Sequence, residues 1–261
     1  MQNPEQSLGE GHFARKQIFS RDWLISWSHR SRFQTGLQLA QQFAGKRVVD
    51  YGCGDGSFLA MLMNTPGVPA GAVGVEISPD SVADCRARLG HLRGLSFILD
   101  EELNLPENQG AFDAVICMEV LEHVIEVEPL INRFAGLLAP GGKLLVSVPV
   151  ETGPPLLVKQ FVRRVAGWRG IGDYPGTTPY SVTELMGSLL ASGKRQHMER
   201  PIHSNPDGSR FHDHKGFNWM VLRELLTRRF HLLSTQTSPL PWLSPYLASQ
   251  VWFLLQKNDP T

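Results

Sequence analysis

The sequence predicts an α/β protein in which a mostly parallel β-sheet carries helices on both faces. Short, continuously apolar segments alternate with segments of helical periodicity, as expected for strands that are buried on both sides. The first predicted strand runs directly into a glycine-rich turn and a helix. The last two predicted strands are joined by a proline-rich connection with no room for a crossover helix, which indicates an antiparallel end to the sheet.

Composition limits the class of protein further. The 261 residues include 25 Lys and Arg against 25 Asp and Glu, so no net positive charge indicates a nucleic-acid partner. The three cysteines lack the spacing of a zinc site, the amino-terminal residues are polar, and no apolar stretch is long enough to cross a bilayer. We therefore expect a cytoplasmic protein that does not bind nucleic acid.

The first elements follow from local patterns. Aromatic and basic residues over 13–32 predict a helix, and apolar residues at helical spacing predict a second helix over 33–43, which Gly45 ends. Ser78 is a favourable N-cap with proline directly after it, which predicts a helix over 79–89. The other elements predicted in this half are strands over 47–51, 72–77, 95–99 and 112–118 and a helix over 57–63.

The second half contains an interruption. A helix over 128–138 is expected to end at Pro140-Gly141-Gly142, before a strand over 143–148. Residues 150–217 are too long for a simple connection, and we interpret them as a cap in which Ser181 and Glu184 form a capping box. The predicted elements that follow the cap are a helix over 218–229 and strands over 231–237 and 250–256.

These elements suggest four parts of the chain. The largest is a cofactor-binding core, which a carboxy-terminal helix and strand pair complete. The predicted parts are a helical lid segment over 1–32, the core over 33–149, the cap over 150–217 and the completing segment over 218–261.

The turn after the first strand has the composition of a nucleotide-binding site. Asp50 ends the strand, glycines follow at 52, 54 and 56, and Glu76 ends the next strand, where a carboxylate can accept both hydroxyls of a ribose. Ser57 stands where the dinucleotide fingerprint requires its third glycine. The carboxylates would also repel a pyrophosphate, which disfavours a nicotinamide dinucleotide.

Several motifs together resemble the class I S-adenosylmethionine-dependent methyltransferases, in particular the small-molecule branch that includes ubiquinone-type O-methyltransferases. They are D-x-G-x-G-x-G from Asp50, Glu76, Asp100, FDAVICMEVLEHV and LAPGGKLLVSVP. The resemblance implies a Rossmann-like, seven-stranded sheet with an antiparallel last strand. It also implies S-adenosylmethionine as cofactor and S-adenosylhomocysteine as product. The cofactor-binding residues that it implies are Asp50, Gly52, Cys53, Gly54, Glu76, Ile77, Asp100, Glu101, Met118 and Glu119.

Histidines are the candidate catalytic residues, because a hydroxyl acceptor must lose its proton during methyl transfer. The candidates are His214, His212 and His123. The resemblance also allows a divalent cation at Glu119, Glu122 and His123, but the Leu121-Glu122-His123 triplet occurs in many relatives that use no metal. We therefore expect no metal site, with a divalent cation as the less favoured alternative.

Within the predicted cap, one helix gives information on the acceptor. Residues 154–169 form a basic amphipathic helix with Leu157, Phe161, Val165 and Trp168 on one face. Packing of this apolar face on the domain is the favoured interpretation, and peripheral membrane contact is the alternative. We expect methyl transfer to an oxygen of a sugar or glycan, lipid-linked or natural-product acceptor. The alternatives are a cofactor-binding regulatory protein without catalysis and, less favoured, an NAD-dependent reductase.

Overall fold

The computed structural model describes residues 11, 23–168, 178–205 and 208–258. The remainder of the predicted lid segment, at 1–10 and 12–22, lies outside these residues. The strands are β1 (Arg47–Tyr51), β2 (Gly71–Glu76), β3 (Leu95–Leu99), β4 (Phe112–Met118), β5 (Leu138–Pro149), β6 (Ile202–Ser204), β7 (Arg210–His212), β8 (Phe230–Ser238) and β9 (Gln250–Lys257). The α-helices are α1 (Trp23–Ala40), α2 (Ser57–Leu62), α3 (Pro79–Leu89), α4 (Val127–Leu137), α5 (Pro154–Trp168), α6 (Val182–Leu189) and α7 (Trp219–Thr227).

Seven of the strands form one sheet in the order β3-β2-β1-β4-β5-β9-β8. The pairs from β3 through β5 are parallel, whereas β9 is antiparallel to both β5 and β8. This arrangement confirms the predicted Rossmann-like fold with an antiparallel end. The carboxyl ends of β1, β2 and β4 lie side by side, so the residues that follow these strands share one edge of the sheet.

Two apolar cores cover the two faces of the sheet. One contains Phe134 of α4 and Trp219 of α7, and the other contains Phe33 of α1, Phe58 of α2 and Leu89 of α3. Trp252 of β9 is completely buried in the second core. Continuous apolar strands with helices on both sides produce this three-layer arrangement.

Two predicted boundaries are wrong. One helix, α1, runs without a break from Trp23 to Ala40, where the sequence predicted separate helices on either side of residue 33. The Pro140-Gly141-Gly142 segment is a bulge inside β5 rather than a loop before it: Phe112 pairs with Leu138, whereas Ala114 pairs with Lys143. A positive φ of 67° at Gly141 accommodates this bulge.

The segment predicted as a cap contains α5, α6 and a small antiparallel hairpin of β6 and β7 that the sequence did not predict. Helix α6 begins at the predicted capping box, in which the Ser181 and Glu184 side chains each accept a backbone hydrogen bond. Across the described ranges, no helix combines the length and apolarity that crossing a bilayer requires.

The favoured interpretation of α5 is wrong for the residues whose side chains are described. Leu157 and Phe161 were expected to pack on the domain, but they are 47% and 69% exposed. Val158 and Val162 are also exposed, so this face of the helix is apolar and turned outward. The side chains of Val165 and Trp168 and all of Arg169 lie outside the described residues.

Candidate active site

The glycine-rich turn between β1 and α2 requires glycine for its backbone conformation and for the space around it. Gly52, Gly54 and Gly56 have φ angles of 72°, 59° and 71°. A Cβ on Gly52 would lie 2.4 Å from Cγ2 of Val120, in the loop after β4. The turn therefore packs directly on the loop that leads to the candidate catalytic residues.

Two carboxyl groups line this turn. Oε1 of Glu76 accepts a 2.8 Å hydrogen bond from the Gly54 amide, and Oε2 accepts one from the Ile77 amide. Burial raises the pKa of the Glu76 carboxyl, although these two amides partly offset the shift. Asp50 is buried, neither of its carboxylate oxygens receives a hydrogen bond from a described residue, and burial followed by the charge of Glu76 raises its pKa.

These carboxyls fit the cofactor that the resemblance implies. A buried acceptor such as Asp50 is costly unless a ligand supplies a donor or a positive charge. The exposed Ile77 side chain beside Glu76 offers an apolar surface for a base. S-Adenosylmethionine carries hydroxyls, an amino group, an adenine and a sulfonium, and these groups match the residues present.

Three further residues that the resemblance implied for cofactor binding, Asp100, Glu101 and Cys53, have different surroundings. Asp100 accepts a 2.6 Å hydrogen bond from Nη1 of Arg133, so its carboxylate is held before any ligand binds. Glu101 is exposed in the short 3-10 helix that begins at Asp100. Cys53 lies next to the Cys85 thiol, and the hydrogen bond between them and burial raise the pKa of Cys53.

The end of β4 meets helix α1. Glu119 has a φ of 56°, a conformation that costs free energy for any residue with a Cβ, and its amide donates to the Ser147 carbonyl. Its side chain accepts a 3.0 Å hydrogen bond from the Ser147 hydroxyl and lies 3.5 Å from Nη1 of Arg32. Met118 lies against α1 at Gly36, where a Cβ would be 3.4 Å from its sulfur. Both predicted residues thus lie beneath α1.

Two of the candidate histidines have their tautomers fixed by carbonyl groups. Nδ1 of His123 lies 2.8 Å from the His212 carbonyl oxygen, and Nδ1 of His212 lies 2.7 Å from that of Pro201. Because a carbonyl oxygen only accepts, each Nδ1 must carry the proton. Nε2 of each neutral ring is then an acceptor. Burial lowers the pKa of His212.

His214 completes the cluster. Its ring meets the ring of His123 edge to face, with centroids 4.8 Å apart. Burial lowers the pKa of His214 to about 4, so the ring is neutral at neutral pH. Glu122 is completely buried beside this pair, and burial followed by the charge of Glu119 raises its pKa. The structure therefore brings His123 and His214 together, while the His212 side chain is directed to the hairpin.

One ligand atom from each of Glu122, His123 and His214 lies within 4.8 Å of the others. This spacing could hold a metal ion, as the less favoured alternative requires, although one of its three members differs from the set that the resemblance implied. His214 replaces Glu119, which is engaged with Ser147. The same three groups can also act without a metal as a proton-accepting cluster.

Two charged residues near the cluster, the buried Glu151 and the half-buried Arg200, were not predicted. Glu151, directly after β5, accepts hydrogen bonds from Lys159 and Arg163 of α5, and these positive charges hold its pKa below the usual range although burial pushes it upward. Arg200 binds the loop of His123 and the loop of His214. Neither residue belongs to a motif, so no sequence signal separates them from surface charges.

Comparisons with known proteins agree with this geometry. A family model described as a methyltransferase domain matches residues 26–226. A ubiquinone biosynthesis O-methyltransferase of Marinobacter nauticus is 34% identical over 174 residues, which cover 62% of this chain and 69% of that relative. One from Xanthomonas oryzae is 37% identical over 111 residues, which cover 40% of this chain and only 43% of its own length.

Solved structures share the fold at low identity. A Pyrococcus horikoshii protein has a TM-score of 0.59 and 17% identity, with 95% of this chain and 97% of that chain covered. The N-methyltransferase NodS from Bradyrhizobium japonicum, solved with S-adenosylhomocysteine, has a TM-score of 0.53 and 13% identity over 99% of this chain and 100% of its own.

Proposed function

Because the chain belongs to the methyltransferase domain family, we propose that it transfers a methyl group from S-adenosylmethionine to an oxygen of a small-molecule acceptor. The observation that carries this proposal is the contact between His123 and His214 at the end of β4, next to the carboxylate-lined turn. A histidine at this position supplies the base that a hydroxyl acceptor needs.

Residues of the turn would hold the cofactor. We assign the ribose hydroxyls to Glu76, the adenine to the surface of Ile77, and the methionine part to Asp50 and Glu119. When bound, S-adenosylmethionine supplies a methyl group on a cationic sulfur, which an oxygen nucleophile accepts by in-line displacement. Carboxyl groups stabilise a positive charge nearby, and a positive charge in turn favours their ionised forms.

The histidines would receive the acceptor proton. Nδ1 of His123 donates to the His212 carbonyl, so its Nε2 is the accepting nitrogen and this ring is the base that we propose. His214 supports it through ring contact and remains neutral because it is buried. Their positioning beside the cofactor turn also supplies the orientation on which the displacement depends.

An acceptor with a lipid tail is favoured by the outer face of α5. The exposed side chains of Val158 and Phe161 would contact an apolar surface, whereas Lys159 and Arg163 are turned toward Glu151. We therefore propose a lipid-linked acceptor and a peripheral membrane contact through the outer face of α5. The contact would depend on apolar burial rather than on attraction to anionic headgroups.

Methyl transfer from isotopically labelled S-adenosylmethionine tests the proposed function. Hydroxylated aromatic and sugar acceptors, each with and without a lipid tail, would be assayed by mass spectrometry for an O-methylated product. We expect His123→Ala and His214→Ala to lower kcat by about 10²-fold or more without changing cofactor affinity, and the exposed control His231→Ala to have no effect. Cofactor binding without product from any acceptor would favour the regulatory alternative, and hydride transfer to NAD would favour the reductase.

A further inference from the structure

Arg200 connects two loops of the site that are distant in sequence. Its Nη2 donates to the backbone carbonyls of Glu122 and Asp213, the latter at 2.7 Å. Its guanidinium lies over the ring of Phe217, 5.2 Å from the centroid. Burial lowers the pKa of Arg200 to about 10, which still leaves it charged at neutral pH.

The two carbonyls belong to the peptide groups immediately before the histidine pair. The Glu122 carbonyl is part of the peptide bond to His123, and the Asp213 carbonyl is part of the bond to His214. One planar guanidinium therefore fixes the orientation of both peptide groups. It also sets the distance between the loop after β4 and the loop after β7.

The residue that follows Arg200 extends the same arrangement. Pro201 accepts the Nδ1 proton of His212, and the His212 carbonyl accepts the Nδ1 proton of His123. The Arg200 side chain thus binds the carbonyls that precede His123 and His214, and the Pro201 carbonyl binds the ring of His212. A shift of residues 200–201 would move the rings and weaken the hydrogen bond from His123 Nδ1 to the His212 carbonyl, which fixes the tautomer of His123.

We propose that Arg200 is a positioning residue, which keeps His123 and His214 in contact and holds the Nδ1–H tautomer of His123. The proposal rests on the proposed function, in which these rings accept the acceptor proton. A half-buried cation needs several partners to offset its desolvation, and the two carbonyls and the Phe217 ring supply them for Arg200. Lysine cannot reproduce this arrangement, in which Nη2 donates to both carbonyls while the planar guanidinium lies over the Phe217 ring, because its ammonium is a single point of charge on a flexible stem.

Kinetics and imidazole NMR of Arg200→Lys and Arg200→Gln test the proposal, with Arg210→Lys as a control at an exposed arginine of the same cap. We expect both Arg200 variants to lower kcat by about 10- to 100-fold with cofactor Kd within twofold of wild type. Long-range 1H–15N spectra should show His123 changing from one tautomer to a mixture. The control should match wild type in both measurements.

A second comparison separates positioning from general stability. In a His123→Ala, His214→Ala background, Arg200→Lys should lower kcat no further, because Arg200 acts through these rings. An equal loss in both backgrounds, or an unchanged His123 tautomer in both Arg200 variants, would overturn the proposal. Absence of methyl transfer in wild type would overturn the proposed function alone, since the NMR comparison does not need activity.

Discussion

The rings of His123 and His214 meet edge to face with centroids 4.8 Å apart, although one follows β4 of the core and the other follows the hairpin of the cap. The predicted core therefore contributes the proposed base, His123, and the predicted cap contributes the ring that supports it, His214. The contact also lies beside the buried carboxyl of Glu122, 3.9 Å from Nε2 of His123. Packing of the predicted cap against the loop after β4 is thus a condition for assembly of the cluster.

Burial of His214 should make stability depend on pH. The pKa falls from 6.5 to about 4 on folding, so between these values the unfolded chain binds a proton that the native protein does not. The stabilising contribution is full above pH 6.5 and is lost as the pH falls to about 4, by about 3 kcal/mol. The free energy of unfolding, measured with urea at several pH values across this range, should change less steeply with pH for His214→Gln than for wild type.

Exposed His231→Gln is the matched control for that slope, because its side chain is in solvent. It should retain the wild-type pH dependence. Identical slopes for His214→Gln and wild type would show that the protonation of His214 does not change on folding.

A pair of glycine variants should separate backbone strain from close packing. Gly52→Ala and Gly110→Ala both place a Cβ at a φ near 70°, which costs about 1–2 kcal/mol. Only at Gly52 does the Cβ meet another group, Val120, whereas nothing lies within 4 Å at Gly110. Urea unfolding should therefore show the larger loss for Gly52→Ala, and cofactor binding should weaken in that variant alone. Equal losses would exclude the close packing of the turn on the loop after β4.

The fold was predicted more completely than the site, and the reason is physical. The bounds of β1, β3, β4 and α3 match the prediction because buried strands and a capped helix leave strong local patterns. The strands of the β6–β7 hairpin have three residues each, too few for a period to be detected. Periodicity showed that α5 is amphipathic, but it cannot tell which face contacts the domain. The basic face is turned inward by the ion pairs of Lys159 and Arg163 with Glu151, and these are tertiary contacts that a periodic pattern does not reveal.

Removal of the buried charge of Glu151 should destabilise the protein. Glu151→Gln leaves Lys159 and Arg163 without their counter-charge in a site where Glu151 is 1% exposed, and loss of one member of a buried ion pair costs about 3–5 kcal/mol. Glu128→Gln is the control, because its ion pair with Arg228 is more than half exposed and contributes about 0–1 kcal/mol. Urea unfolding measures both, and similar values would contradict the structural role of Glu151.

The apolar face of α5 should bind lipid without a requirement for negative charge. Wild type should co-sediment with phosphatidylcholine vesicles, and 0.5 M salt, which screens charges beyond about 4 Å, should not release it. Phe161→Asp should abolish pelleting, since it places a charge on the exposed apolar face. Arg164→Glu, on the same exposed side, should pellet like wild type. Absence of wild-type binding, or binding only to anionic vesicles, would contradict the proposed contact.

Isothermal titration calorimetry of the wild-type chain with S-adenosylmethionine and S-adenosylhomocysteine tests the assignment of the carboxylate-lined turn most directly. We expect saturable heat with both ligands, at least tenfold weaker binding for Glu76→Ala, and wild-type affinity for the exposed control Glu224→Ala. Absence of heat with either ligand, or equal affinity of wild type and Glu76→Ala, would contradict the account.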